Sequence, residues 1–248
     1  MDFFDELIAQ LKKEAVGSPS FTVDSADWEV FLDPSKAVKK TENAAVMPQQ
    51  ENNQIIDTQK LTPVFNFENL KNNILDCRQC ALAKIRKNPA VSYGNSQAKL
   101  MIVIENPSLL DDEEGLIFSG EVGVLLDKML LAMGLKRNEC YITSIVKCRT
   151  PGSRPPEAEE IKSCTEKFFN TEVQAVRPEC ILAFGAGFAK DILHREGTIS
   201  TLRGIFDSYD GIPVMSTFNP AYLLRQPSAK KIVWGDLQQV MKALGLNR

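Results

Sequence analysis

Four cysteines have the residue type and the spacing to bind a metal together. Cys77 and Cys80 form a C-x2-C pair, Cys148 follows a strand-like run, and Cys164 lies 16 positions further on in a helical pattern. A C-x2-C pair can direct two thiolates at one metal, and the fold must then bring in the other two. By count, four thiolates suit zinc and an iron–sulfur cluster equally well. Four unrelated core cysteines are the alternative.

A second group of candidate residues lies in the stretch KLMIVIENPSLLDDEEGLIFSG, residues 99–120. The run Leu100–Glu105 predicts a buried parallel strand, and the chain then leaves the sheet through Asn106 and Pro107. Ligands of open α/β sheets bind at the carboxyl ends of the strands. Glu105 and Asn106 are therefore candidates for a binding or catalytic site, although an ordinary strand exit explains the segment equally well.

The elements that must position these residues alternate between strands and helices. Strand-like runs lie at Leu100–Glu105, Tyr141–Val146, Cys180–Phe184 and Val214–Phe218. Helical patterns lie at Val122–Met133, Glu157–Ala175, Ala186–Leu193 and about Ser228 to Leu244, after an earlier helix that runs from near Phe67 toward Cys77. This alternation predicts an α/β fold with a mainly parallel sheet covered by helices on both faces.

The composition and the cysteine content indicate a reduced, cytoplasmic protein. The sequence contains no apolar run of the roughly 18 residues that a membrane span needs, and no basic-then-apolar export signal. Cysteines in such a chain are expected to be free thiols rather than disulfides. Cys140 and Cys180 lie in or beside strand-like runs and are expected to be small buried side chains.

The acidic residues are concentrated at the front of the chain. Residues 1–62 contain 6 Lys/Arg and 11 Asp/Glu, a balance of −5, which leaves +2 for residues 63–248 of a chain whose net charge is −3. We therefore divide the chain into an acidic segment at 1–35, a flexible linker rich in Asn and Gln at 36–65, and a compact domain at 66–248.

Residues 2–14 predict a short amphipathic helix. The apolar side chains on its one face are Phe3, Phe4, Leu7, Ile8 and Leu11. This face can dock on the protein's own domain or bind a partner protein.

Seven segments together resemble family 4 of the uracil-DNA glycosylases, the iron–sulfur class. They are CRQCAL, VSYGNSQAKLMIVIENP, GLIFSGEVGVLLDKML, YITSIVKCRTPGSRPP, RPECILAFGA, LRG and GIPVMSTFNPAYLLRQPSAKKIVWGDL, in the family's order over residues 70–245. The resemblance implies a three-layer α/β/α sandwich with a four-stranded, mainly parallel sheet. It implies a structural [4Fe–4S] cluster on Cys77, Cys80, Cys148 and Cys164. It also implies a monomeric base-excision-repair enzyme that hydrolyses the N-glycosidic bond of uracil, or of another deaminated base, flipped out of DNA.

Several positions of that family are retained. Phe118 matches the aromatic residue on which the extruded base stacks. Glu105, Asp111 and Asp112 match the acidic residues in and after the first motif. The resemblance places four residues in the loop that enters the duplex: Tyr222, Leu223, Leu224 and Arg225. Candidate phosphate contacts are Lys147, Arg154, Ser228 and Lys230.

The departures from the family fall at its chemical centre. The first motif loses both glycines and reads as Ile104–Ser108, IENPS. Ser144 replaces the asparagine that reads uracil, and Asn219 replaces the histidine of H-P-A-Y. Asn106 instead matches the asparagine that holds the attacking water in the related mismatch-specific and single-strand-selective glycosylases. The only histidine, His194, lies outside the motifs and is expected to be structural.

The resemblance and these departures together predict a site for hydrolysis. The catalytic candidates are Asn106, which orients the attacking water, Glu105 or Asp111, which assist it, and Asn219, which donates to the leaving base. The substrate-binding candidates are Phe118, which stacks the base, and Ser144, which contacts its edge. The alternative is a glycosylase-like domain that has lost catalysis and binds DNA or a protein. Ile104 favours that alternative, because its branched side chain lies at the lip of the pocket.

Overall fold

Within the described residues, the sheet at the centre of the protein has six strands. The computed structural model describes residues 2–15 and 65–246. In chain order the strands are β1 (Tyr93–Gly94), β2 (Leu100–Ile104), β3 (Tyr141–Ser144), β4 (Cys180–Phe184), β5 (Phe206–Tyr209) and β6 (Ile212–Thr217). Across the sheet their order is β1-β3-β2-β4-β6-β5.

The four central strands are the four predicted runs, and they pair in parallel. Strands β2, β3 and β4 are buried at every position, as expected for apolar runs that helices cover on both faces. The predicted α/β class is therefore confirmed. The predicted strand number of four was too low, because β1 and β5 add an antiparallel strand at each edge.

The two edge strands have different local causes. Strands β5 and β6 form a hairpin through Asp210 and Gly211, whose φ values of 49° and 80° are those of a type I′ turn. An Asp-Gly pair is a strong hairpin signal, so this edge was readable from the sequence. Strand β1 is only two residues long, and a Cβ on Gly94 would lie 2.0 Å from the Cys140 carbonyl oxygen. This close approach would not be possible with any side chain at Gly94.

Helices cover both faces of the sheet. They are α1 (Phe3–Ala15), α2 (Phe67–Leu75), α3 (Leu109–Glu114), α4 (Gly120–Ala132), α5 (Ala158–Cys164), α6 (Asn170–Val176), α7 (Ile199–Leu202), α8 (Pro220–Arg225) and α9 (Lys230–Ala243). Short 3₁₀ helices lie at Ala81–Lys84, Arg137–Glu139, Pro151–Ser153 and Pro227–Ala229, and π-helical turns at Thr165–Phe169 and Phe188–Ile192. The first π turn joins α5 to α6, so the predicted helix Glu157–Ala175 is a helical segment with a π-helical interruption.

The layers pack as a sandwich. On one face of the sheet, Val103 and Val214 belong to a buried cluster with Phe169 and Val173 from the π turn and α6. On the other face, the hydroxyl of Thr217 in β6 donates to a buried carboxylate of α9.

Helix α1 packs on the protein's own domain through its apolar face. Phe4 is 0% exposed and Ile8 is 8% exposed. Asp5 forms an ion pair with Lys128 of α4, with 2.7 Å between the charged atoms. Of the two predictions for this face, the structure shows docking on the protein itself, and the Leu11 side chain lies outside the described part.

The predicted linker at 36–65 falls almost wholly outside the described residues, so its assignment stays a prediction. None of the helices in residues 2–15 and 65–246 combines the length and the apolar content that crossing a bilayer requires.

Candidate active site

The carboxyl ends of the four parallel strands bring one row of side chains together. Ser144 of β3 is in register with Ile104 of β2, Ile104 with Phe184 of β4, and Phe184 with Thr217 of β6. Residues in register on neighbouring strands point to the same face of a sheet. These four side chains, all buried, therefore form the floor of the candidate site.

Glu105 and Asn106, which directly follow β2, contact the loops after its two neighbouring strands, β4 and β3 respectively. The Asn106 Nδ2 atom donates to Thr150 Oγ1 at 3.3 Å, in the loop that follows β3. The Glu105 carboxyl lies against Gly187 after β4, where an added Cβ would come within 2.5 Å of the Glu105 Cδ atom. Burial raises the pKa of Glu105, and the negative charge of Asp191 raises it further. A raised pKa suits a carboxyl group that exchanges a proton near neutral pH.

Asp111 holds two backbone segments together. Its carboxylate accepts the N–H groups of Ser108 at 2.9 Å and Ser119 at 2.8 Å, and the side chain is buried. Ser108 also caps the amino end of α3. The neighbouring Asp112 accepts the Lys87 N–H in the same way. If Asp111 assists the attacking water, the water must therefore bind carboxylate oxygens that already accept two backbone N–H groups.

Phe118 adopts a backbone conformation that is rare for a bulky residue. Its φ of 59° lies in the left-handed region. A residue held there costs about 1–3 kcal/mol and persists only where its surroundings impose it. The ring is buried and meets the Phe184 ring edge-on, with 5.8 Å between centroids and 82° between planes. The predicted stacking residue is thus placed over the floor of the candidate site.

Ser144 presents a buried hydroxyl at this floor. Its Oγ atom has no hydrogen-bond partner among the described residues, and the side chain is 0% exposed. An unpaired buried hydroxyl is rare in proteins and calls for an explanation, such as a ligand or an ordered water. Ile104 is adjacent and 5% exposed. The space around Ser144 is therefore closed to bulk solvent, and a base can reach it only if side chains move.

Asn219 has its amide oriented by its own helix. It is the amino-terminal cap of α8, and its Oδ1 atom accepts the Ala221 N–H at 2.8 Å. This bond fixes which way the amide points and directs the Nδ2 donor away from the helix. The geometry suits the predicted role of Asn219 as a donor to a ligand.

Helix α8 exposes only part of the predicted DNA-entering loop. Tyr222 stacks on Phe218 with 4.9 Å between ring centroids, and Tyr222 and Leu224 are each 38% exposed. Arg225 is exposed as well. Leu223 is 0% exposed, so its predicted contact with DNA is wrong: this face of the helix packs into the core.

Two of the predicted phosphate contacts are buried. Lys147 is 1% exposed and forms an ion pair with Glu172 at 2.8 Å, so the prediction that it binds a phosphate is wrong. Lys230 is buried and paired with Asp2. Arg154 is partly exposed and engages Glu160 through two guanidinium nitrogens.

The candidate phosphate contact Ser228 is exposed beside the end of α8.

The four cysteines of the predicted metal site line one open recess. Cys77, Cys80, Cys148 and Cys164 all contribute to its wall. Arg86 also lines it and donates to the Cys148 sulfur at 3.0 Å. In the described part of the chain, no group of three or more Cys, His, Asp or Glu side chains is arranged to hold a single metal ion.

Hydrogen bonds to these sulfurs fit a metal-binding role. The Lys147 N–H donates to the Cys164 sulfur at 3.3 Å, and such bonds to thiolates are typical of sulfur-ligated sites. Burial raises the pKa of the Cys164 thiol to about 12, so its thiolate needs a compensating positive charge. Cys140 and Cys180 are each 0% exposed in the core, where they were expected.

Residues 91–238 match the family described as the uracil DNA glycosylase superfamily. The chain belongs to this superfamily. A type-4 uracil-DNA glycosylase of Saccharolobus solfataricus is 32% identical over 188 residues, which are 72% of this chain and 87% of that protein. Proteins of the same name from Archaeoglobus fulgidus and Thermotoga maritima are 30% and 32% identical, over 73% and 70% of this chain and 94% and 92% of theirs.

Membership in the glycosylase superfamily confirms the resemblance inferred from the sequence segments. The matched range contains the strand ends and α8, but it begins after the first cysteine pair, Cys77 and Cys80. Within this glycosylase fold, sequence reasoning missed Phe184 and Thr150. The place of Phe184 in the site could have been inferred, since it ends a predicted strand. The place of Thr150 could not, because Thr150 and its partner Asn106 lie in loops that are 44 positions apart in the sequence.

Proposed function

We propose that this protein is a DNA glycosylase that hydrolyses the N-glycosidic bond of uracil, or of another deaminated base, flipped out of DNA. The single observation that supports this most is the site at the strand ends: Asn106, Phe118 and Ser144 lie around one floor in a chain of the glycosylase superfamily. Two relatives that are about 30% identical to this chain, with the match covering most of their length, are named type-4 uracil-DNA glycosylases.

The chemistry needs positioning and electrostatic help more than covalent catalysis. As the bond breaks, positive charge develops on the sugar and negative charge on the leaving base. In the proposal, Asn106 holds the attacking water and the Glu105 carboxylate assists it. Asn219 donates its amide N–H to the leaving base. A neutral amide stabilises the leaving anion less than an imidazole does, so we expect slow turnover.

Base recognition is assigned to Phe118 and Ser144. The Phe118 ring stacks on the base, and the unpaired Ser144 hydroxyl supplies one hydrogen bond to its edge. A hydroxyl can satisfy one polar group of the base well, whereas an amide can satisfy two. We therefore expect discrimination among deaminated bases to be looser than with an asparagine at this position.

The recess is proposed to hold a [4Fe–4S] cluster, with zinc as the alternative. Four thiols share one recess, and a guanidinium and a backbone N–H donate to two of their sulfurs. When bound, the cluster would be structural: it would join the segment before Ala81–Lys84 to β3 and α5 through Cys77, Cys80, Cys148 and Cys164.

DNA is the proposed partner, and the exposed residues near the site define its contact. Tyr222, Leu224, Arg225 and Ser228 remain candidates for contact with the duplex. We propose that the protein acts as a monomer, and that residues 1–35 can contact a protein partner.

The test is cleavage of oligonucleotides that contain uracil, hypoxanthine or xanthine, single-stranded and in duplex. We expect abasic product from at least one of them. Asn106→Ala should abolish most of this activity, whereas the matched control Asn73→Ala, at an exposed position of α2, should not. If both substitutions lowered cleavage equally, Asn106 would not be the residue that holds the attacking water.

The alternative function is a domain that binds DNA without catalysis. The specific observation in its favour is the closed site: Ile104, Phe118 and Ser144 are each at most 5% exposed. Duplex binding with no abasic product from any of the substrates would establish this alternative.

A further inference from the structure

The backbone on both sides of Phe118 is held by three side chains from different parts of the chain. The Tyr93 hydroxyl donates to the carbonyl before Phe118 at 2.8 Å. Arg137 Nη1 donates to the carbonyl of Phe118 itself at 3.3 Å. The Asp111 carboxylate accepts the N–H that follows Phe118 at 2.8 Å. Of the four polar groups in the two peptide units that flank the Phe118 Cα, three therefore have a side-chain partner.

Arg137 is the centre of this arrangement. Besides the Phe118 carbonyl, it donates to the Tyr93 hydroxyl at 3.1 Å, to the Gly123 carbonyl at 2.6 Å and to Asp127 at 2.6 Å. The planar guanidinium presents its donors in a fixed fork, so one side chain can bind four acceptors in different directions. A lysine ammonium could not reach all of them at once.

A separate observation shows that the Phe118 carbonyl occupies a fixed place. An added Cβ on Gly123 would lie 2.0 Å from the Phe118 carbonyl oxygen and 2.9 Å from Arg137 Nη2. The carbonyl therefore sits directly on the first turn of α4, in space that any side chain at Gly123 would fill. The absence of that side chain and the presence of the guanidinium both favour the same orientation of the Phe118 peptide.

A positive φ at a bulky residue persists only where the surroundings impose it. Without its partners, the Phe118 peptide would relax to a common conformation, and the ring would turn away from Phe184. We propose that Arg137, together with Tyr93, is a positioning residue that fixes Phe118 in the orientation needed to stack a flipped base. This inference rests on the proposed function of the site, because it assigns the purpose of the Phe118 orientation.

The first test does not require activity. Hydrogen exchange of the amides in residues 116–120 should be about tenfold faster or more in Arg137→Lys than in the unchanged protein, because local opening becomes easier. Amides of β4 should be unaffected. Unchanged exchange at 116–120 in a folded Arg137→Lys protein would overturn the proposal.

The second test asks whether Arg137 acts through Phe118. Under single-turnover conditions we expect Arg137→Lys to slow base release by about 10- to 100-fold, the effect of a small misplacement at an active site. Duplex affinity should be unchanged. In the double variant Phe118→Ala/Arg137→Lys, base release should be almost as fast as in Phe118→Ala alone, because Arg137 has no stacking ring left to position. A double variant whose rate loss is the product of the two single losses would refute positioning through Phe118.

Tyr93→Phe provides a milder variant, since it removes only the hydroxyl that joins Arg137 to the loop. We expect its exchange and cleavage rates to lie between those of the unchanged protein and those of Arg137→Lys. If Tyr93→Phe matched the unchanged protein in both rates, Tyr93 would not help to hold the Phe118 backbone. If the unchanged protein releases no base from any substrate, the proposed function fails. The exchange measurement then still decides whether Arg137 fixes the loop.

Discussion

Lys147 and Glu172 form a buried ion pair whose removal should have a large and calculable effect on stability. The two side chains are 1% and 0% exposed, with 2.8 Å between Nζ and Oε2. Glu172 also accepts from the hydroxyls of Ser92 and Thr143 at 2.5 and 2.6 Å. Substituting Lys147→Met removes the cation and leaves a buried carboxylate without its counter-charge.

Breaking a buried ion pair from one side costs about 3–5 kcal/mol. For a domain of this size, 1 kcal/mol shifts the melting temperature by about 2–4 °C, so we expect Lys147→Met to lower it by about 6–20 °C. The double variant Lys147→Met/Glu172→Gln should recover most of this loss, because a neutral amide needs no counter-charge and can pair with both hydroxyls: its oxygen accepts from one, and its nitrogen donates to the other. Urea and thermal unfolding, followed by circular dichroism, measure these differences.

The matched control is Lys99→Met. Lys99 pairs with Glu179 at 2.9 Å, but the two side chains are 65% and 51% exposed. Exposed pairs contribute at most about 1 kcal/mol, so this variant should unfold almost like the unchanged protein. If Lys147→Met were no more destabilising than Lys99→Met, the inference of a buried pair would be wrong. A loss of salt-dependent DNA affinity in Lys147→Met, without loss of stability, would restore its sequence-based role as a phosphate contact.

Three further predictions follow from burial. Leu223→Ala should destabilise the protein by about 2–5 kcal/mol in urea unfolding, whereas Leu224→Ala should leave stability nearly unchanged and weaken duplex binding in a fluorescence anisotropy assay; the reverse pattern would contradict the assigned faces of α8. Cys164→Ser should abolish visible absorbance of anaerobically purified protein, and Cys180→Ser should retain it, so equal spectra would exclude the recess as the cluster site. Because burial raises the pKa of Glu105, cleavage should fall as pH decreases through that raised value, and a Glu105→Gln profile that keeps the same acid limb would exclude this carboxylate.

The four central strands of this fold were readable from the sequence because each lies in a short, mainly apolar run, whereas the edge strands β1 and β5 are not apolar runs and were missed. The hairpin of β5 and β6 carried a readable signal in Asp210-Gly211, which the strand assignment did not use. The sequence did not show which face of α8 is buried. Leu223 and Leu224 are adjacent and chemically identical, and only tertiary packing buries the first and exposes the second. Lys147 was misassigned for a similar reason, since its partner is 25 positions away in another element.

The segment from Ser144 to Cys148 connects the candidate base site to the cysteine recess. Ser144 lies on the floor of the site, and Cys148 lines the recess four residues later. Between them, Lys147 donates its Nζ to the Ser144 carbonyl at 2.8 Å and its backbone N–H to the Cys164 sulfur at 3.3 Å. A group bound by the cysteines would therefore restrain the strand end that carries the base-contacting hydroxyl. Its removal should impair base recognition through this segment, even though the recess itself contacts no substrate.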